Sequence, residues 1–305
     1  MNYTENDSLA GNFVKSLYVD SKGILWIGHN EGKLSYRKDG IFHKIESLKS
    51  NQPINDICED NEGNLWFIDQ KSGLCQVSST FESRRIKYNW RAEGRLTFYS
   101  LLAVSSHEFL LGSSHGLYQV LLDDLNEIKT ANLVQDIPQT RINRIIKQRN
   151  KENKHEYWVA TDDQGFYHYS HDSQSAEHII NNELCLKFNI EKESILDIYE
   201  EKEGHLLLAT FGNGVIKLIY DRVTGKYSEN LNFSTTNGLK ENNIKKILCD
   251  REGNYWFGSF TEGVFSLTQD HFIFYNLEEI GFKENKAFSV FKTEDALWMG
   301  LKMAC

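Results

Sequence analysis

Apolar positions along this chain fall in short runs with a period of two, the pattern of strands buried by alternate side chains, and clusters of Asp, Asn, Glu and Gly separate the runs. One tetrad recurs. Leu25-Trp26-Ile27-Gly28 returns as Leu65-Trp66-Phe67-Ile68, Phe109-Leu110-Leu111-Gly112, Tyr157-Trp158-Val159-Ala160, Leu206-Leu207-Leu208-Ala209, Tyr255-Trp256-Phe257-Gly258 and Leu297-Trp298-Met299-Gly300. The second positions, Trp26, Trp66, Leu110, Trp158, Leu207, Trp256 and Trp298, lie 40, 44, 48, 49, 49 and 42 residues apart. Their mean spacing, about 45, is the length of one four-stranded propeller blade.

The flanks repeat as well. Ahead of the anchor stands an apolar stretch ending in an acidic residue: Val14, Leu17 and Asp20; Ile54, Ile57 and Asp60; Ile195, Ile198 and Glu201; Ile244, Ile247 and Asp250. These are candidate inner strands. Asp20-Ser21-Lys22-Gly23, Asp60-Asn61-Glu62-Gly63 and Asp250-Arg251-Glu252-Gly253 then supply Asp and Gly for tight hairpins. Beyond the anchor a Gly returns at 32, 73, 116, 165, 214 and 263, opening a third strand. A weaker fourth is clearest at Ile41–Ile45, Arg85–Tyr88 and His271–Tyr275. No stretch is long enough for a helical crossover, so the chain is expected to be all-β: a single domain over 1–305, a seven-bladed propeller of four-stranded antiparallel blades with its last blade incomplete. A blade buries both faces against its neighbours, which assigns the seven anchors to packing, since Leu110 and Leu207 keep the apolar character without the aromatic ring.

Composition narrows the function. With 305 residues, 40% hydrophobic and 25% charged, 21 Gly and only 2 Pro, the chain can build a substantial core and is neither disordered nor collagen-like. A formal charge of −9, with only the isolated basic pairs Arg84-Arg85 and Lys245-Lys246, argues against nucleic acid as a partner. Cys58, Cys75, Cys185, Cys249 and Cys305 form no CxxC pair, so neither a zinc site nor a disulfide framework is indicated. No apolar run approaches the roughly 18 residues of a membrane span, and the first residues lack the basic and apolar regions of a signal peptide.

In an up-and-down blade the loops joining strands two and three share one end with the loops leading into the next strand one, and concave mouths of that kind are the default binding site. The candidate ligand-binding residues there are His29, Asn30, Gln70, His115, Asp162, Asp163, Phe211, Asn213 and Phe260, hydrogen-bonding groups with two aromatic faces. His168 and His171, with His178 nearby, suggest a metal cluster, but strand residues three apart point to opposite faces. Asp162 and Asp163 resemble a catalytic pair, yet adjacent side chains of an extended chain diverge. No GxSxG, HExxH or P-loop occurs. No catalytic residue, metal or cofactor is expected.

The unit built from Asn, an apolar residue, Ile, Asp, Gly, Leu-Trp-Ile-Gly and a second Gly-Leu resembles the two-component regulator propeller repeat. It stands out over Asn55 to Leu74 and Asn243 to Val264, and with slight departure over Asn12 to Leu34; Asn237-Gly238-Leu239-Lys240-Glu241-Asn242 is similar to that family's preface. His107-Glu108 makes unit three degenerate, and unit four carries an insertion around Asn150 to His155. The resemblance implies the ligand-sensing, usually periplasmic, part of a membrane-anchored hybrid sensor histidine kinase of carbohydrate-using bacteria. Its ligand would be a small polar molecule or oligosaccharide, and its partners a neighbouring propeller, an immunoglobulin-like module, a kinase module and a second copy in the full-length protein. No phosphoacceptor segment, nucleotide loop or receiver is found, so no kinase activity is expected of this segment. Unit seven stops after two strands, and Asn2-Tyr3 reads as the tail of an outer strand, which together suggest a fragment of a longer sensor; a complete chain would instead be cytoplasmic. A propeller glycoside hydrolase or lyase and a protein-interaction scaffold are the alternatives.

Overall fold

The computed structural model describes residues 3–45, 51–71, 73–90, 95–149, 155–178, 192–268, 271–275, 277, 286–293 and 296–301. Two compact units divide the chain: Met1–Gln135 with Gly300–Met303 and Cys305, and Asp136–Met299 with Ala304. In the first, a short 3-10 turn (Glu5–Asp7) precedes three blades: β1 to β4 (Val14–Val19, Leu25–His29, Leu34–Lys38, Ile41–Ile45), β5 to β8 (Ile54–Glu59, Leu65–Asp69, Gly73–Val77, Ser83–Arg85) and β9 to β12 (Phe98–Ala103, Glu108–Ser113, Gly116–Leu122, Ile128–Leu133). The second holds β13 to β16 (Ile142–Lys147, Glu156–Thr161, Phe166–Ser170, Ser175–His178), β17 to β20 (Ile195–Glu200, Leu206–Thr210, Val215–Asp221, Lys226–Phe233) and β21 to β24 (Ile244–Cys249, Tyr255–Ser259, Val264–Thr268, His271–Tyr275). Every strand pairs antiparallel with its sequence neighbour, so the fold is an all-β propeller of four-stranded blades.

The blade count differs from the expected seven. Among the described residues six sheets have four strands, and the seventh anchor lies in a two-stranded sheet, β25 (Ala287–Lys292) with β26 (Leu297–Leu301). The four residues after Leu301 contain neither the repeat Gly nor the apolar run that builds a third strand elsewhere. Two smaller expectations also change. At the N-terminus Tyr3 lies in no strand, and Thr4 caps the 3-10 turn, accepting from the Asn6 N–H at 3.2 Å while Asp7 accepts from the Thr4 N–H at 2.9 Å. The second blade's outer strand is only Ser83–Arg85, earlier and shorter than the sequence suggests. Asn2 and residues 150–154 of the insertion lie outside the described residues.

The core lies between sheets, and the period of two decides which residue goes to which layer. Trp66 and Ile68 face the third blade, packing with Phe98, Phe109 and Leu111, whereas Leu65 and Phe67 face the first, packing with Trp26 and Leu34. The second unit repeats the arrangement: Trp158 and Ala160 meet Leu206 and Leu208, and Leu207 and Ala209 meet Phe257. Trp26, Trp66, Leu110, Trp158 and Leu207 are buried, as the packing role requires; Trp256 and Trp298 are half-buried.

The acidic residue six positions before the anchor does more than turn the chain. Asp60 Oδ1 accepts from the Glu62 and Asn64 N–H groups, each at 2.9 Å, closing the hairpin, while Oδ2 accepts from the Trp66 indole at 2.8 Å. Asp20 does the same with Lys22, Ile24 and Trp26. Asp250 accepts from Asn254 and Trp256, and Lys292 adds an ion pair at 3.1 Å. Burial opposes the ionisation of Asp250, but the bonds from Trp256, Asn254 and Lys292 outweigh it and hold the carboxyl well below the usual range. In the fourth blade, whose hairpin carries the insertion, the acceptor for Trp158 comes from the next blade, Glu200 at 3.1 Å. In the fifth, where Leu207 has no side-chain N–H to offer, Glu201 instead receives Lys217 at 2.6 Å and the Tyr255 hydroxyl.

Candidate functional site

The innermost strand of each four-stranded blade is bulged at its second residue. The register skips between Val14 and Ser16, Ile54 and Asp56, Ile142 and Arg144, Ile195 and Asp197, and Ile244 and Lys246, and in the third blade Tyr99 is the unpaired residue. A bulge re-aims its side chain. Asn55 uses this to donate to the Phe98 carbonyl at 2.6 Å and Asn143 to the Ile195 carbonyl at 2.9 Å, stapling adjacent inner strands at the end where the loops joining strands two and three emerge.

Those loops hang on a buried polar residue that closes the second strand of each four-stranded blade: His29, Asp69, Ser113, Thr161, Thr210 and Ser259, all fully buried. The hydroxyls of Ser113, Thr161, Thr210 and Ser259 donate to the carbonyls of Gly116, Gly165, Gly214 and Gly263 at 2.8–3.0 Å, fixing the loop between them. His29 occupies the same position. Its Nε2 lies 2.9 Å from Ser35 Oγ, so it braces the loop instead of facing solvent as a ligand group.

Burial, reinforced by Lys33, pushes the His29 imidazole down from 6.5 to about 4. In the unfolded chain this ring protonates near 6.5 while the folded one stays neutral, so its contribution to stability is complete above that value and falls as pH drops towards 4. Between pH 7 and 5 the loss is expected to be about 2 kcal/mol. Urea melts at the two values, compared with His29→Gln, check it: the variant should lose most of the difference, and an unchanged pH slope would rule the mechanism out.

The remaining candidates separate by unit. In the first, Asn30 and Gln70 are half-buried and anchored through their backbones, N–H to the carbonyls of Phe13 and Pro53 at 2.9 Å, and the His115 ring shares a hydrogen bond with Ser114 Oγ at 2.8 Å. In the second, Asp162 is half-buried and accepts from Ser194 at 2.9 Å and Asn143 at 3.3 Å, while exposed Asp163 accepts from Thr140; the two carboxylates serve different partners and form no catalytic pair. Asn213 donates to Glu193 at 2.6 Å, and burial raises the Glu193 carboxyl against that bond. Glu241 plays the parallel role one blade on, accepting from the N–H groups of Thr261 at 2.8 Å and Glu262 at 3.2 Å.

Phe211 and Phe260 do come together. Their rings meet edge to face, centroids 5.4 Å apart, and Phe211 keeps 54% of its surface exposed. Sequence reasoning omitted their company. Lys245, the bulged residue of β21, places Nζ 5.3 Å from the Phe260 centroid and 4.1 Å from that of Phe288, and Lys286 lies 5.7 and 5.3 Å from the same two rings. The arrangement offers an aromatic surface with ammonium groups at its edge, suited to binding. His168 pairs with Glu156 at 3.1 Å while His171 meets Gln174 and His155, and the side chain of His178 lies outside the described residues. Among the described residues no group of three His, Cys, Asp or Glu could hold a metal, and no helix is long and apolar enough to cross a membrane.

Solved structures share this fold. The chain is similar to the extracellular domain of the hybrid two component system BT3049 from B. thetaiotaomicron, at 20% identity and a TM-score of 0.74, over 99% of this chain and 39% of that one. The extracellular domain of the one component system BT4673 from the same organism matches at 20% identity and a TM-score of 0.53, over 96% of this chain and 47% of that one. Virginiamycin B lyase from Staphylococcus aureus matches at 11% and 0.73, over 96% and 92%. Such identities establish likeness of fold alone, and the chain spans less than half the length of the two sensor domains. No curated protein matches it. Residues 8–31, 47–69 and 238–261 match the family described as two component regulator propeller, so three stretches of this chain carry that family's repeat.

Proposed function

We propose that this chain is the ligand-binding sensor propeller of a two-component signalling system, receiving a carbohydrate or other polar ligand and relaying its arrival to attached modules without catalysing a reaction itself. The observation that carries the reading is the exposed face of Phe211 set edge-on to Phe260, beside loops that present amide and carboxylate groups. Sugars combine an apolar ring face with a rim of hydroxyls, and an aromatic platform next to polar loops matches both halves. The three stretches that match the two component regulator propeller family and the fold shared with sensor ectodomains support the signalling role. In that role the segment sits outside the membrane, in the periplasm, as part of an anchored sensor whose immunoglobulin-like and kinase modules belong to the rest of the protein.

Calorimetric titration of the purified chain with an oligosaccharide panel tests this. Saturable heat without product release is the expected result. The double variant Phe211→Ala, Phe260→Ala should weaken binding at least about a hundredfold, the effect of removing a central aromatic anchor pair. Unchanged affinity would place the site elsewhere, accumulating product would make the chain an enzyme, and silence towards every glycan would leave a protein-interaction scaffold.

A further inference from the structure

We infer that Asn237-Gly238, in the segment leading into β21, is a site of spontaneous covalent modification, and that its conversion loosens the loops carrying Phe211 and Phe260. The chain holds two Asn-Gly dipeptides, Asn213-Gly214 and Asn237-Gly238. In such a pair the Gly amide nitrogen attacks the Asn side-chain carbonyl, because no side chain on the following residue obstructs the succinimide ring that forms. The new bond joins Gly N to Asn Cγ, the Cγ–Nδ2 bond breaks, and the side-chain amide leaves as ammonia with the proton that the glycine nitrogen gives up. Water then opens the ring at either carbonyl. The products are aspartate on the ordinary backbone, or isoaspartate, whose backbone is longer by a methylene group.

The fold treats the two dipeptides differently. At Asn213 both reacting groups are engaged: Gly214 is buried with its N–H on the Asn242 carbonyl at 2.8 Å, and the Asn213 amide donates to Glu193 at 2.6 Å. At Asn237 both residues are exposed, and among the described residues the Gly238 N–H meets no acceptor. Asn237 Oδ1 also accepts the Ser234 N–H at 2.7 Å. That donor polarises the carbonyl under attack and meets the negative charge that gathers on Oδ1 as the ring closes.

The position gives the change its reach, since this segment carries the acceptors for both aromatic loops. The Asn242 carbonyl receives the N–H groups of Gly212 at 3.3 Å and Gly214 at 2.8 Å, and the Asn243 carbonyl receives that of Phe260 at 3.1 Å. Glu241 receives Thr261 and Glu262. The turn at Ser234 sets where those acceptors stand: its carbonyl receives the N–H groups of Asn237 and Leu239 at 3.1 and 3.0 Å, and the Thr235 N–H donates to Asn242 Oδ1 at 2.8 Å. Conversion puts a new carboxylate in that turn, lengthens its backbone in the isoaspartate product, and removes the Asn237 Nδ2 bond to the Asn232 carbonyl.

The test incubates the purified chain at mildly alkaline pH, which favours loss of the glycine N–H proton, and follows both dipeptides by peptide mapping with mass spectrometry and enzymatic methyl labelling of isoaspartate. Asn237 is expected to convert at least about tenfold faster than Asn213, which reacts only when its loop opens. In concentrated urea the two rates should come within a few-fold of each other. Amide hydrogen exchange at Gly212, Gly214 and Phe260 should be about threefold or more faster in the converted chain. Asn237→Gln, whose longer side chain closes a ring far more slowly, should exchange alike before and after the same incubation. Equal conversion of the two sites in the folded chain, an Asn237 that survives where Asn213 converts, or a rate difference that persists in urea would overturn the assignment of the site to the fold. Conversion with unchanged exchange, or a rise in exchange of the glutamine variant on incubation, would overturn its effect on the platform.

Discussion

Replacing Trp66 by Ala is expected to lower the stability of the fold by about 4 kcal/mol, near the top of the range for a single core truncation. The indole is fully buried in the layer between the second and third blades, its ring 4.7 Å from that of Phe109. Its loss opens a cavity between two sheets that are held apart by their other residues. It also strips Asp60, 7% exposed, of one of the two N–H groups that Oδ2 accepts, leaving the Asn64 amide at 3.0 Å. Trp66→Phe separates the two effects, because it keeps most of the buried area and removes only the donor; it should cost about 1–2 kcal/mol. Trp298→Ala, at a half-buried anchor in the two-stranded sheet, should cost about 1 kcal/mol. Denaturant midpoints of the three variants check the order, and a Trp66→Ala midpoint close to the parent's would show that the layer does not carry the fold.

Gly214→Ala is expected to destabilise by about 3 kcal/mol. Two independent requirements meet at this residue. Its φ of +75° is one that side chains adopt only under strain. In addition, a Cβ would lie 2.0 Å from the Phe233 carbonyl oxygen, a backbone atom that cannot swing aside as a flexible side chain would. Gly253 serves as the control, since its φ of +86° is similar but nothing lies within 4 Å of a Cβ. Gly253→Ala should therefore show the conformational cost alone, about 1 kcal/mol. Equal losses at the two sites in thermal melts would refute the steric account. Because the loop from Thr210 to Gly214 carries Phe211 and Asn213, the Gly214 variant should also bind ligand more weakly than its stability alone predicts.

Much of the fold was legible because blades are built from local pairings: an anchor tetrad, an Asp and Gly turn before it and a Gly after it specify three strands within some forty residues. The fourth strand was harder to read because it has one neighbour and needs less apolar character, as the three-residue Ser83–Arg85 illustrates. Asp20, Asp60 and Asp250 stood at a constant six residues from their tryptophans, a spacing explained by hairpin turns alone until the indole bonds supplied the second reason. At the site, Phe211 and Phe260 could be read from their loops. Their lysines could not, because Lys245 reaches the rings through a bulge, and in sequence the pair Lys245-Lys246 is only an isolated basic doublet. His29 was misplaced for the opposite reason: one residue marks the boundary between strand and loop, and a polar residue there goes inward to hold the loop.

The alternation within each second strand has a consequence for how such chains change over time. In all four described layers the earlier sheet contributes its anchor and the later sheet the residues flanking its own, as with Trp26 against Leu65 and Phe67, or Leu207 against Phe257. Each repeat thus ends on a surface that accepts the beginning of any other. Duplication or deletion of one whole repeat in a gene preserves the kind of junction on either side, whereas an insertion of a single residue inside a tetrad exchanges its two faces and spoils both. Repeat number is then free to drift between relatives while the alternation within each tetrad stays fixed.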